Sequence, residues 1–358
     1  MASKFGRGAG LAALVAAGVA IGLGVEEAVV GRRFRPDPVS REPFGLLRGE
    51  QVDVLADDGV IIHVEVDEPP APAPADLTIL FVHGYGLNQD CWHYQRRDLY
   101  SLGRLAFMDQ RAHGLSFRGH PDRTTIAQLG SDLRAVIDAI SPTGPVVLVG
   151  HSMGGMTVLS LAAREPEFFT RHVAGVALLA TTSGGLSEAP LGLPEPIGMA
   201  LHRVIPSALE VATGNQALVE AGRRRAGDLT YLLTKRYSFG SQASPALTQF
   251  VADMVSSTPV DVIAEFFEAV EGFEEPGAAR QLAGIETLVM VGDVDRITTP
   301  DHSHEIVRHA PHAELVLLPD TGHMLMLERW PEVNAHLIGL VERVRARGWE
   351  NGFDGKNT

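Results

Sequence analysis

Short, wholly apolar runs rich in β-branched residues recur along this chain, separated by polar or helix-patterned stretches. Thr78–Val82, Arg104–Met108, Val146–Val149, Gly175–Ala180, Glu286–Val291 and Glu314–Leu318 share this texture. A strand with one wet face alternates apolar and polar residues, whereas a strand covered on both faces reads as a continuous apolar run. The series therefore predicts an α/β fold: a mostly parallel, doubly wound sheet of about eight strands with helices on both faces. The first strands differ. Val52-Asp53-Val54 alternates, Asp58-Gly59 supplies a turn and Val60–Val66 resumes the pattern, so residues 51–66 read as a hairpin. Thr124–Ile140 places Ile126, Leu129, Leu133, Val136, Ile137 and Ile140 on one helical face, and Met156–Ala163 predicts another helix.

The strand series stops between about residues 181 and 280. That stretch carries Pro190, Pro194, Pro196 and Pro206, and residues 250–267 are apolar at helix-like spacing. It reads as a helical cap over one end of the sheet, with residues 50–180 and 281–345 as the core. An ordinary αβ segment with obscure strands is the competing reading. Leu191, Leu193, Met199, Leu201, Met254, Phe266 and Phe267 could line an apolar pocket, though packing between cap helices explains them more simply. Residues 35–49, with three prolines, form a linker, Pro69–Pro74 a stiff connection, and 346–358 a tail.

Residues 1–34 need their own reading. Lys4 and Arg7 precede Gly8–Val25, a run without charge, and Glu26 and Glu27 close it. As a helix this run spans about 27 Å, just short of a bilayer core of about 30 Å. Membrane association through residues 8–25 is the leading expectation. A cleaved signal peptide, and hence a secreted protein, competes but lacks a clear A-x-A site; a helix packed on its own protein, and a cytoplasmic location, is the third reading. Gly18 and Gly22 form a weak G-x-x-x-G in so Ala- and Gly-rich a run.

Charge narrows the partners. Acidic residues outnumber basic ones, 44 to 30, giving a formal net charge of −14. This argues against nucleic acid, whose phosphates need a basic footprint; Arg223-Arg224-Arg225 reads as a solvated face. Cys91 is the only cysteine, which excludes an intramolecular disulfide and a thiolate metal cage.

The chemistry concentrates in Gly150-His151-Ser152-Met153-Gly154, a G-x-S-x-G between a buried strand and a helix. This is the setting of a nucleophile elbow, with Ser152 on a sharp turn and glycines where backbone must approach closely. A serine hydroxyl needs a histidine to take its proton and a carboxylate to orient that histidine. Asp293 and Asp295 follow one later strand, and Gly322-His323 follows the next, at the sheet edge where open α/β sheets build sites. His323 is the candidate base. His302, His304, His309 and His312 read as surface residues, and His151 cannot easily reach around to Ser152. A tetrahedral intermediate also needs fixed donors for its oxyanion. The backbone N–H groups of Met153 and of Tyr85, in His83-Gly84-Tyr85-Gly86, are the candidates. The pattern requires neither cofactor nor metal.

These pieces, together with Asp109-Gln110-Arg111-Ala112-His113-Gly114-Leu115-Ser116, make the chain resemble the α/β-hydrolase fold family over about residues 50–345, in its serine-nucleophile, esterase and haloperoxidase-like branch. The resemblance implies Asp295 as the acid. It also implies an acyl-enzyme on Ser152 in the cleavage of a carboxylic ester or thioester of a lipophilic small molecule. Acyl transfer by the same triad, or ligand binding on a hydrolase scaffold, are the alternatives. Epoxide hydrolases and haloalkane dehalogenases of this fold use an aspartate nucleophile, so Ser152 argues against both. Ala112 stands where the family usually has glycine, which suggests a slightly different turn there.

Overall fold

The computed structural model describes residues 42–71, 77–186, 230–240 and 243–348. The apolar run 8–25, the arginine cluster 223–225, the tail beyond 348, and Leu191, Leu193, Met199 and Leu201 lie outside the described residues. No helix among the described residues is long and apolar enough to cross a membrane.

Eight strands form one sheet: β1 (Glu50–Leu55), β2 (Ile61–Asp67), β3 (Thr78–Val82), β4 (Arg104–Met108), β5 (Val146–His151), β6 (Val173–Leu179), β7 (Glu286–Gly292) and β8 (Glu314–Leu318). Their spatial order is β1-β2-β4-β3-β5-β6-β7-β8. The β1–β2 and β2–β4 pairs are antiparallel and every other pair is parallel. The hairpin turns at Asp58-Gly59, where Gly59 takes a left-handed φ of 84°.

Side-chain alternation explains why the central strands are apolar throughout. Leu80, Val82, Leu148 and Val176 face one core with the helix Ile126–Ile140 and the helix Met153–Arg164. Ile79, Phe81, Val147 and Ala177 face the other with the helix Trp330–Arg347. The first helix starts where Thr125 accepts a hydrogen bond from the Gln128 N–H, and its predicted apolar face is buried.

The described part of residues 181–280 contains helices and no strand. The apolar stretch 250–267 is two helices, Pro245–Ser257 and Val260–Glu271. They part at Thr258-Pro259, because a residue before proline is pushed out of the helical region. Met254 and Phe266 are buried in the two cores.

Candidate active site

The carboxyl ends of β3, β5, β7 and β8 lie along one sheet edge and carry the loops of the candidate site. β5 is wholly buried and runs straight into Ser152, which adopts φ 52° and ψ −118°; the helix Met153–Arg164 begins at the next residue. A left-handed φ on a non-glycine residue costs of order 1–3 kcal/mol and persists only when its surroundings over-determine it. They do so here. The Ser152 N–H donates to the Leu179 carbonyl (3.0 Å), and its carbonyl accepts from Gly155 N–H (2.9 Å), Met156 N–H (3.2 Å) and the Thr181 hydroxyl (2.7 Å). The flanking glycines are sterically required. A Cβ on Gly150 would lie 2.7 Å from the Gly154 carbonyl oxygen, and one on Gly154 would lie 2.1 Å from that of Val82.

His323 follows β8, and Asp295 follows β7. His323 Nδ1 pairs with Asp295 Oδ2 at 2.8 Å, and both side chains are buried. The carboxylate is fixed in turn: Oδ1 accepts from the N–H groups of Ile297 (2.8 Å) and Thr298 (3.1 Å), and Oδ2 from the Thr298 hydroxyl (3.0 Å). Asp293, the competing acid, is exposed and accepts from Thr321 N–H at 3.4 Å. The glycines before each residue let the loops meet, since a Cβ on Gly292 would sit 2.0 Å from the Thr321 carbonyl oxygen. No hydrogen bond joins the Ser152 hydroxyl to His323 among the described residues, a looseness common in sites without substrate.

Met153 opens its helix, so its N–H has no intrahelical partner. The N–H of Tyr85 likewise takes no hydrogen bond among the described residues. Gly84 brings the Tyr85 loop against the elbow: a Cβ there would lie 3.1 Å from Ser152 Cβ. His83 Nδ1–H donates to the Gly84 carbonyl at 2.7 Å, while its Nε2 accepts from Gln110 N–H at 2.9 Å. Because a trans peptide points its C=O and N–H in opposite directions, anchoring the Gly84 carbonyl turns the Tyr85 N–H the other way. The arrangement can therefore supply a serine oxygen, a histidine–carboxylate pair and two open amide donors.

Sequence reasoning missed the polar frame beneath these groups. His113 Nε2 accepts from Gly86 N–H (3.2 Å), and Gln110 joins the His83 carbonyl (2.6 Å) to the Thr157 hydroxyl (2.8 Å). Burial holds His83 down to about 3 and His113 to about 4, so both are neutral. Asp109 accepts from Gln89 N–H (2.8 Å) and Leu115 N–H (2.9 Å), and burial raises it to about 6. The signal was present in Asp109–Ser116. Thr298 was missed as well; its trace is a hydroxyl residue three positions after the acid. His151 turns away from Ser152 and meets the His323 carbonyl through Nε2 at 3.0 Å; burial keeps it neutral too.

One expectation needs correction, that for His302, and one position gains detail. Ala112 takes a left-handed φ of 62°, the conformation that favours glycine, so this turn carries strain that a glycine would not. His302 is buried and pairs with the Thr299 hydroxyl at 3.1 Å, because its helix Pro300–His309 packs that face on the sheet. Among the described residues no group of three His, Cys, Asp or Glu could hold a metal ion.

Comparison with known proteins bears on this geometry. The model of the alpha/beta hydrolase family matches residues 79–336. The chain belongs to the α/β-hydrolase family. Among its relatives, an sn-1-specific diacylglycerol lipase of Mus musculus is 26% identical over 250 residues, covering 68% of this chain and 74% of that protein. The dihydrolipoyllysine-residue acetyltransferase component of the acetoin cleaving system of Pseudomonas putida is 26% identical over 268 residues, covering 74% of this chain. The match spans 63% of that protein's length. An esterase from Exiguobacterium antarcticum superposes with a TM-score of 0.66 at 18% identity, covering 81% of this α/β-hydrolase and 99% of the esterase. At that identity the likeness is one of fold.

Proposed function

We propose that this α/β-hydrolase is a serine esterase that cleaves a carboxylic ester or thioester of a lipophilic small molecule through an acyl-enzyme on Ser152. The observation that carries the proposal is the buried Asp295–His323 pair at 2.8 Å, on the sheet edge that presents Ser152 in its left-handed turn.

In this reading the Ser152 oxygen attacks the ester carbonyl as His323 Nε2 takes its proton. Asp295 fixes the ring through Nδ1–H and stabilises the imidazolium. The oxyanion sits between the N–H groups of Tyr85 and Met153. His323 gives its proton to the departing alcohol or thiol, then activates water to release the acid.

The test is turnover of p-nitrophenyl esters of increasing acyl length by wild type and Ser152→Ala, with fluorophosphonate labelling to mark the serine. Loss of turnover and labelling together in the variant supports the proposal. Equal turnover in both overturns it in favour of a ligand-binding protein.

A second reading, acyl transfer to an alcohol or thiol in place of water, is favoured by the acetyltransferase-named relative. Added alcohol would then divert the acyl group to a new ester faster than water releases the acid. Membrane association through residues 8–25 belongs to the proposal. It fails if the full chain and one beginning near Arg35 both stay soluble on fractionation.

A further inference from the structure

The loop that carries the Tyr85 N–H is held from two sides. The core holds its backbone, through His83 on the Gly84 carbonyl and His113 on the Gly86 N–H. The helix Val260–Glu271 holds its other side. The Tyr85 hydroxyl donates to the Ile263 carbonyl, and the Thr258 hydroxyl, just before that helix, reaches the Gly86 carbonyl at 3.4 Å. Ile263 packs on Gly86 so closely that a Cβ there would stand 3.2 Å from Cδ1. Phe266 of the same helix meets the His113 ring at 5.0 Å, edge to face. A residue with one job would need one set of contacts. Tyr85 presents its amide to the candidate oxyanion site and its hydroxyl to the cap.

We propose that Tyr85 is a positioning residue that couples the cap to the oxyanion site: the seated helix Val260–Glu271 holds the Tyr85 side chain, and this sets the aim of the Tyr85 N–H. Displacing that helix swings Tyr85 and moves one of the two donors, so the enzyme reaches full rate only with the cap in place. The helix is fastened further by Arg118, which pairs with Asp261 and Glu265, and by Thr124 on Glu265 at 3.4 Å. The Arg118 pairs lie at the surface and open readily, whereas the Tyr85 bond is partly buried.

The inference rests on the serine-esterase reading, and its test separates the two. Tyr85→Phe keeps the backbone N–H and nearly the whole side-chain volume. It leaves no orphan acceptor, since the Ile263 carbonyl keeps its place in the helical hydrogen-bond ladder. Turnover is measured per serine labelled by fluorophosphonate, beside the inhibition constant of a trifluoromethyl ketone, which binds a nucleophilic serine as a tetrahedral oxyanion. Deleting an oxyanion donor outright costs about 10²–10³ in kcat. Loosening one should lower kcat about tenfold with KM within about twofold, and weaken the ketone about tenfold in parallel. Global destabilisation would remove labelled sites without moving either ratio. Ile263→Ala attacks the contact from the cap side, should shift both quantities in the same direction, and decides the matter if Tyr85→Phe does not fold. Wild-type kcat per site in the variants, or a fall in kcat with unchanged ketone affinity, overturns the coupling. A wild type no faster than Ser152→Ala overturns the esterase reading and this inference with it.

Discussion

Mild acid should destabilise this protein well before its carboxylates are titrated as a group. The cause is three histidines buried in neutral form around the site. His83 is held down to about 3 and His113 to about 4, both by burial, from a free value of 6.5; His151 is held well below that value by the same cause. A depressed pKa means that the unfolded chain binds the proton first. The stability concerned is whole above about pH 6.5 and is lost as pH falls towards the folded values. Between pH 7 and pH 5, His83 and His113 together remove about 4 kcal/mol. Asp109 works the other way. Burial raises it from 3.8 to about 6, so the folded state is the better proton binder and acidification returns about 1 kcal/mol over the same interval. The net loss is about 2–3 kcal/mol before His151 is counted, a large share of a typical stability of about 5–15 kcal/mol.

Urea unfolding at pH 7 and pH 5, at one temperature and ionic strength, measures the difference directly. His113→Gln isolates one contributor. Its amide oxygen can still accept the Gly86 N–H but does not titrate, so the pH-dependent loss should shrink by about 2 kcal/mol. An unfolding free energy at pH 5 equal to or above that at pH 7 would refute the reasoning. So would a His113→Gln chain with the pH dependence of wild type, since it would mean that the His113 ring is not held neutral in the fold.

Asp295→Asn keeps an oxygen for the Ile297 and Thr298 amides but no longer orients the His323 tautomer, so kcat should fall about 10³–10⁴-fold in a chain of unchanged thermal midpoint, read by ester turnover and calorimetry. Ala112→Gly relieves a left-handed φ of 62° and should raise stability by about 0.5–1 kcal/mol in urea titration, with turnover untouched. Arg111→Met strands Asp132, which is fully buried against the guanidinium at 2.6 Å, and should cost about 3–5 kcal/mol on the same titration.

The sheet was legible because burial on both faces writes itself as unbroken apolar runs, and the observed strands fall on those runs within a residue or two. Ser152 and His323 were legible for a different reason. Glycines close to them in the chain have a Cβ position that collides with backbone, so the requirement for close approach is written into the sequence; Gly292 precedes Asp293 and Asp295 alike, and only the family resemblance separated the two. The frame beneath them was not legible in the same way. His83, Gln110, His113 and Thr157 act through hydrogen bonds between residues far apart in the chain, and no local periodicity encodes such a pairing. Tyr85 shows the limit most clearly: a motif could point to its amide, but its hydroxyl partner lies at Ile263, far along the chain in the helix Val260–Glu271.

Strain is concentrated where the chemistry is placed. Among the described residues the non-glycine positions with positive φ are Ala112, Ser152, Ala180 and Asp320. Each lies just beyond the carboxyl end of a strand: β4, β5, β6 and β8 respectively. At about 1–3 kcal/mol apiece these conformations cost an amount comparable with the net stability of a whole domain. The N–H groups of Tyr85 and Met153, with no hydrogen bond among the described residues, lie beside this strained turn. Such a concentration survives only because the opposing groups are fully used: the Ser152 carbonyl by Gly155, Met156 and Thr181, the Gly84 carbonyl by His83, the Asp295 carboxylate by Ile297 and Thr298. The acceptors are saturated so that the two donors can be left open. His83, buried and neutral, is one of these holds, so part of the acid sensitivity of the fold is the consequence of fixing the Gly84 carbonyl with a ring that must stay uncharged.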